Sequence, residues 1–155
     1  MFQDGKSALK GINGGQVVFS GEMQEQVDEL VSQTTENLVK FNQAVTKEEQ
    51  QKALEKILRY PFPPTLRINP PFQVDFGAHT FIGKNVFINR DCLFMDLEGI
   101  YLEDNVLLGP RAALLSINHD EEPEQRQNLI LKEVRIKKRG MDRCGGYCSS
   151  WCYGR

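Results

Sequence analysis

The chain of 155 residues has two histidines, one tryptophan and no apolar run approaching the roughly 18 residues of a membrane span. It also lacks a surplus of charge: 19 basic and 21 acidic side chains, mixed along its length, leave a net charge of −2. That balance argues against a nucleic-acid-binding or membrane-surface protein. The N-terminus, Met1-Phe-Gln-Asp-Gly-Lys6, lacks the basic-then-apolar order of an export signal, so a cytoplasmic protein is expected. Histidine is too scarce for a His-rich metal site. Four cysteines are present, three of them within the last dozen residues. The length allows one domain, or one small domain attached to another.

What is plentiful is periodicity. Read in sixes, the chain runs Phe76-Gly-Ala-His-Thr-Phe81, Ile82-Gly-Lys-Asn-Val-Phe87 and Ile88-Asn-Arg-Asp-Cys-Leu93. After a slip of two residues at Phe94–Gly99 it resumes as Leu102-Glu-Asp-Asn-Val-Leu107 and Leu108-Gly-Pro-Arg-Ala-Ala113. The first place is always apolar. The fifth is small to medium: Thr80, Val86, Cys92, Val106 and Ala112. Strand and turn of fixed length, with one large and one smaller inward side chain per repeat, specify a parallel β-helix with three hexads to a coil. Gly83 at a second place suits a corner of positive φ or of close backbone approach. Asn85, Asp104 and Asn105 are further corner residues. Cys92 is then a core residue.

The rhythm fails near the end. Val134-Arg-Ile-Lys-Lys138 opens another hexad at Ile136, but residues 139–155 have no period and are rich in Cys, Gly and Arg. Read one base later, the codons of this stretch permit Trp-Ile-Gly-Ala-Gly-Ala-Thr-Val-Leu-Pro-Gly-Val-Thr, two further hexads in phase with Ile136. Residues 139–155 therefore read as an out-of-frame tail. Zinc is the rival reading of Cys144, Cys148 and Cys152, but no histidine stands nearby to complete four ligands. Disulfides do not fit a cytoplasmic chain. No metal is expected.

Ahead of the hexads, residues 1–18 carry several glycines and few apolar anchors, and read as a loose arm. Met23, Val27, Leu30, Val31, Leu38 and Phe41 form a helical stripe between about Gly21 and Ala44. Thr46-Lys-Glu-Glu49 is a capping box opening a second helix, which Tyr60-Pro61 ends. The division is thus an arm (1–18), a helical region (19–60), a proline-rich linker (61–70), a truncated hexapeptide β-helix (71–138) and the tail (139–155). Two short amphipathic helices bury little alone, so they are expected to pack on the β-helix or on a neighbouring subunit.

His119 lies just past the last intact hexad, where the coils give way to the polar stretch Asn118-His-Asp-Glu-Glu-Pro-Glu-Gln-Arg126. Loops on a rigid scaffold are common places for chemistry, and an imidazole can accept a proton near neutral pH. On residue physics alone, a single loop histidine reads as a solvated side chain. His79, mid-hexad, reads as a bystander.

The order of motifs adds more. The helical pair with Phe19-Ser-Gly-Glu22 and Leu38-Val-Lys-Phe-Asn42 comes first, then Asn69-Pro-Pro-Phe72, Asp75-Phe-Gly77, Ile82-Gly83, Phe87-Ile-Asn89, Asp96, Leu108-Gly-Pro110, Asn118-His119 and Arg126. Over residues 19–138 this series resembles the maltose and galactoside O-acetyltransferases, which are hexapeptide-repeat acyltransferases. The resemblance implies a left-handed parallel β-helix, homotrimers with active sites between subunits, and direct acetyl transfer from acetyl-CoA to a sugar or similar hydroxyl. It implies His119 as catalytic general base, and Asp75, Asn89 and Asp96 near the acceptor. The family's CoA-binding coils correspond here to the tail, so no cofactor-binding residue is assigned. A non-catalytic truncated remnant is the alternative expectation.

Overall fold

Backbone pairing repeats every twenty residues rather than every eighteen. Ile68 pairs with Ile88 and Ile88 with Leu108; Val74, Phe94 and Leu114 align in the same way. Two corners of each coil are separated by a hexad, and the third carries two extra residues. The slip at Phe94–Gly99 is therefore a recurring feature, because Val74 to Ile82 spans the same eight residues as Phe94 to Leu102. Phe76, expected at a first place, is displaced by this corner. Val74 occupies the inner column, and Phe76 joins a separate cluster outside the coil.

The computed structural model describes residues 15–17, 21–61, 63–126, 128–142 and 147–149. In chain order the elements are β1 (Gly15–Val17), α1 (Glu22–Gln43), α2 (Lys47–Leu58), β2 (Arg67–Ile68), β3 (Phe72–Val74), β4 (Thr80–Ile82) and β5 (Phe87–Ile88). They continue as β6 (Cys92–Met95), β7 (Ile100–Leu102), β8 (Leu107–Leu108), β9 (Ala113–Leu115), β10 (Ile117–His119), β11 (Leu129–Leu131), β12 (Val134–Ile136), β13 (Met141–Asp142) and β14 (Tyr147–Ser149). Three parallel sheets make the faces of a prism, in the orders β12-β7-β4, β13-β8-β5-β2 and β14-β9-β6-β3. A fourth sheet, β1-β11-β10, is antiparallel and stands outside the coils.

The inward aliphatics behave as their spacing requires. Ile82, Ile88, Leu102, Leu108 and Leu114 are all buried, as are the smaller Thr80, Val86, Cys92, Val106 and Ala112. Each large one contributes roughly 1.5–3 kcal/mol of burial free energy, available only when the next coil is stacked on it. At the corners, the two options for glycine separate. Gly83 has an ordinary φ, but a Cβ there would lie 2.7 Å from Asp104 Oδ1 and 2.9 Å from the Asp104 nitrogen. Positive φ falls instead to Asn85 (57°) and Asn105 (60°), whose side chains bond from coil to coil at 3.2 Å. Asp104 is not left-handed; its carboxylate accepts the Lys84 N–H at 2.8 Å. Substituting Gly83 with alanine should therefore displace backbone and lower stability by about 1–3 kcal/mol, measurable by urea unfolding.

The helices pack on the β-helix of their own chain. Thr46 and Glu49 make the reciprocal capping box, and α2 closes through Arg59 in the left-handed region. Asn42 bonds the edge strand β3 at both ends of its amide: Nδ2 donates to the Phe72 carbonyl, and Oδ1 accepts the Phe72 N–H, each at 2.9 Å. A side chain thus pairs an edge that would otherwise be open. Phe41, Phe72 and Phe94 follow one another edge-on, carrying the helix contact into the coil interior.

Residues 15–17, placed in the arm by sequence, form β1; residues 1–14 and 18–20 lie outside the described residues. Within the stretch read as a tail, β13 pairs parallel with β8, and β14 with β9. Arg139 takes positive φ (62°) at the corner that Asn85 and Asn105 hold in lower coils. Reading frame is a property of the gene that strand pairing leaves untouched. The side chains of Cys144, Cys148 and Cys152 lie outside the described residues.

Candidate functional site

The eight-residue corner is where the polar chemistry gathers. In the first two coils it comprises residues 75–79 and 95–99. In the third, the chain leaves the prism after Ser116 and returns before Val134. The excursion is the β10–β11 hairpin, with Asn118 facing Ile130 and His119 facing Leu129. Phe76, Leu97 and Leu131, one from each level, form a cluster with Val17, Ile117, Leu129 and the α1 residues Val27, Leu30 and Val31. The hairpin is thereby seated on the corner and on α1 together.

Asp96 is fully buried and fully bonded. Its Oδ1 accepts the N–H groups of Phe76 (2.9 Å) and Gly77 (3.0 Å), and its Oδ2 accepts the Thr80 hydroxyl (2.8 Å). Burial pushes its carboxyl upward, against the pull of those donors and of His79. Its bonds hold the 75–80 turn, and it has no exposed surface with which to meet a sugar in this chain. Asp75 begins that turn and is half-buried, with its N–H donated to the Phe94 carbonyl at 3.0 Å. It lines a groove of about 420 Å³ between α1 and the outer side of β3 and β6, beside Asn42, Gln73 and Met95.

Burial first, and the Asp96 charge second, push the Asp75 carboxyl above its usual range. A folded-state value above the unfolded one favours the protonated form. The associated stability is complete below the unfolded value and is lost as pH rises through the raised one. Asp75→Asn, which mimics the protonated state, should thus melt higher than the parent at pH 7–8 and match it in acid. Thermal melts at several pH values check this.

Asn89 occupies a different corner, between β5 and β6. Its Oδ1 accepts the Arg90 N–H at 2.9 Å and the Asn69 amide at 3.4 Å. His119 is exposed at the end of β10, with its N–H on Asn118 Oδ1 at 2.9 Å. Its ring Nδ1 lies 2.8 Å from the Arg126 carbonyl. A carbonyl only accepts, so Nδ1 carries the hydrogen, and in the neutral ring the lone pair is on Nε2. The fold thus brings Asp75, Asp96 and the His119 hairpin to one corner, with Asn89 across the β3-β6-β9 face. His79 is buried with its Nδ1 on the Leu97 carbonyl and its ring against Phe76, a structural place. Burial lowers its pKa. Among the described residues there is no group of three or more His, Cys, Asp or Glu that could hold a metal.

Comparison with known proteins bears on the whole arrangement. The maltose O-acetyltransferase from Clostridium difficile 630 superposes with a TM-score of 0.79 at 19% identity, over 88% of this chain and 73% of that one. A hexapeptide-repeat containing acetyltransferase from Vibrio cholerae O1 biovar eltor, complexed with acetyl-CoA, gives 0.63 at 23% identity, over 85% and 76%. The fold is the left-handed parallel β-helix of the hexapeptide-repeat acetyltransferases. Nodulation protein L of Rhizobium meliloti (strain 1021) is 36% identical over 73 residues, 46% of this chain. The hexapeptide-repeat chain spans only 40% of that relative's length. No family model matches the chain. Sequence reading missed β1 as part of this site, because three residues rich in neither charge nor aromatics give no period.

Proposed function

We propose that the chain is an acetyl-CoA-dependent O-acetyltransferase acting on a sugar or similar small hydroxyl acceptor, with His119 as general base. The observation that carries this is the state of the His119 ring. With Nδ1–H held by the Arg126 carbonyl, Nε2 is free to take the proton of an attacking hydroxyl. The oxygen then attacks the thioester carbonyl, the carbon–sulfur bond breaks, and the proton on Nε2 passes to the leaving thiolate. Atoms and charge balance without a metal. The fold likeness to a maltose O-acetyltransferase and to an acetyl-CoA complex supports this chemistry.

Asp75 and Asn89 are the acceptor's polar partners in this reading, and Asp96 acts through the turn that carries Asp75. Asn89 and the His119 hairpin flank opposite ends of a face whose strand β6 is four residues long, about 13 Å at the usual strand rise. That separation supports a site shared between copies, and the assembly we propose is a homotrimer. A cytoplasmic setting, with no nucleic acid or membrane partner, completes the proposal; no helix among the described residues is long and apolar enough to cross a membrane. The test is a thiol-release assay with acetyl-CoA and a panel of sugars, alongside the molecular mass in solution. Turnover that depends on His119 supports the proposal. No turnover with any hydroxyl acceptor, together with no CoA binding, replaces it with a non-catalytic binding protein.

A further inference from the structure

The hairpin bearing His119 is not closed by its own residues alone. Between β10 and β11, residues 121–126 are exposed, and among the described residues the backbone bonds of the turn are Asp120 N–H to the Asn128 carbonyl (3.2 Å), Gln125 N–H to the Glu122 carbonyl (2.9 Å) and Asn128 N–H to the Gln125 carbonyl (2.8 Å). The Arg126 carbonyl, which sets the His119 tautomer, belongs to this exposed stretch. Its position relative to the ring therefore depends on what fixes the two sides of the turn.

Strand β1 supplies that fixing element from more than a hundred residues away. Gln16 pairs with Ile130 in the antiparallel ladder, which points its side chain across the turn. Its Nε2 donates to Asp120 Oδ2 at 2.9 Å and to Gln125 Oε1 at 3.4 Å. Asp120 neighbours His119, and Gln125 neighbours Arg126. One amide, using both of its hydrogens, thus spans the two residues adjoining the catalytic contact. The orientation of the amide follows from chemistry: an ionised carboxylate only accepts, so Gln16 must present its NH₂ to Asp120. Val17, next in the strand and opposite Leu129, is packed against the corner cluster with Leu129 and Ile117, which anchors the strap beside the turn.

Resting on the acetyltransferase reading, we infer that Gln16 is a positioning residue for His119, and that β1 is a strap holding the Arg126 carbonyl on the imidazole. Gln16 touches neither the ring nor a reacting atom. It acts by holding the Asp120 to Gln125 separation, and small misplacements of a catalytic group are costly in rate.

The test exploits the polarity of the bridge. Gln16→Glu sets a carboxylate against the Asp120 carboxylate and should break that half of the bridge, while the Gln125 amide can turn to donate its own NH₂. Asp120→Asn in the same chain restores a donor, because the Asn Nδ2 can face the new carboxylate while its Oδ1 keeps the Glu122 N–H that Asp120 Oδ1 accepts now. Long-range nitrogen–proton NMR on the intact protein reads the His119 tautomer without any substrate. The parent should show Nδ1–H, Gln16→Glu a mixture of tautomers, and the double variant Nδ1–H again. In turnover, Gln16→Glu should lower kcat about tenfold with the acceptor KM within about twofold, and the double variant should recover it. An unchanged tautomer in Gln16→Glu, or no recovery in the double variant, overturns the inference. If the tautomer responds as stated but no form of the protein transfers acetyl groups, the strap stands and the acetyltransferase reading fails.

Discussion

His119→Ala is expected to lower acetyl transfer by about 10²–10⁴-fold while leaving the unfolding transition where it was. The ring is exposed, and the side-chain bond lost is the one to the Arg126 carbonyl. Little packing goes with it, because the apolar seat of the hairpin is built from Ile117, Leu129 and Leu131. The effect should fall on the chemical step, with CoA affinity preserved. A variant that keeps more than about a tenth of parental turnover would remove the imidazole from the mechanism.

The second large effect should appear in stability. Asp96→Ala leaves the Phe76 and Gly77 N–H groups and the Thr80 hydroxyl without their buried acceptor. Leaving a buried donor unsatisfied costs about 1–3 kcal/mol, so three of them together cost about 3 kcal/mol or more. In a chain of this size that should lower the thermal midpoint by about 10 °C or more. Asp96→Asn keeps one acceptor oxygen and removes the charge that burial disfavours, so its loss should be clearly smaller. A calorimetric scan of both variants decides the matter: equal and small losses would mean that the turn does not depend on this carboxylate.

The coil was legible because burial imposes a period on the sequence. Ile82, Ile88, Leu102 and Leu108 each had to be apolar to fill one interior, and the smaller fifth-place residues had to fit beside them. The long corner was not legible, because its two added residues recur in each coil and look like a single slip when only one is noticed. That is why Phe76 passed for a core position. It is apolar and buried, but its burial comes from α1 and the hairpin rather than from the prism. Asp96 and Asp75 illustrate a second limit. Two carboxylates a coil and one residue apart look alike in sequence, and their roles are separated only by which one the backbone amides of a turn converge on. Gln16 lies beyond sequence reading altogether, since its partners Asp120 and Gln125 are joined to it by chain reversal rather than by spacing.

Thr80 meets Ile100 twenty positions later, yet Ile100 meets Val134 thirty-four positions later, in unbroken register. The strand stack resumes after the hairpin as though nothing had intervened. Such an excursion can be lengthened, shortened or exchanged between relatives without renegotiating the columns beneath it. New acceptors can then be recruited by grafting one segment, while the architecture that survives the graft stays as it was.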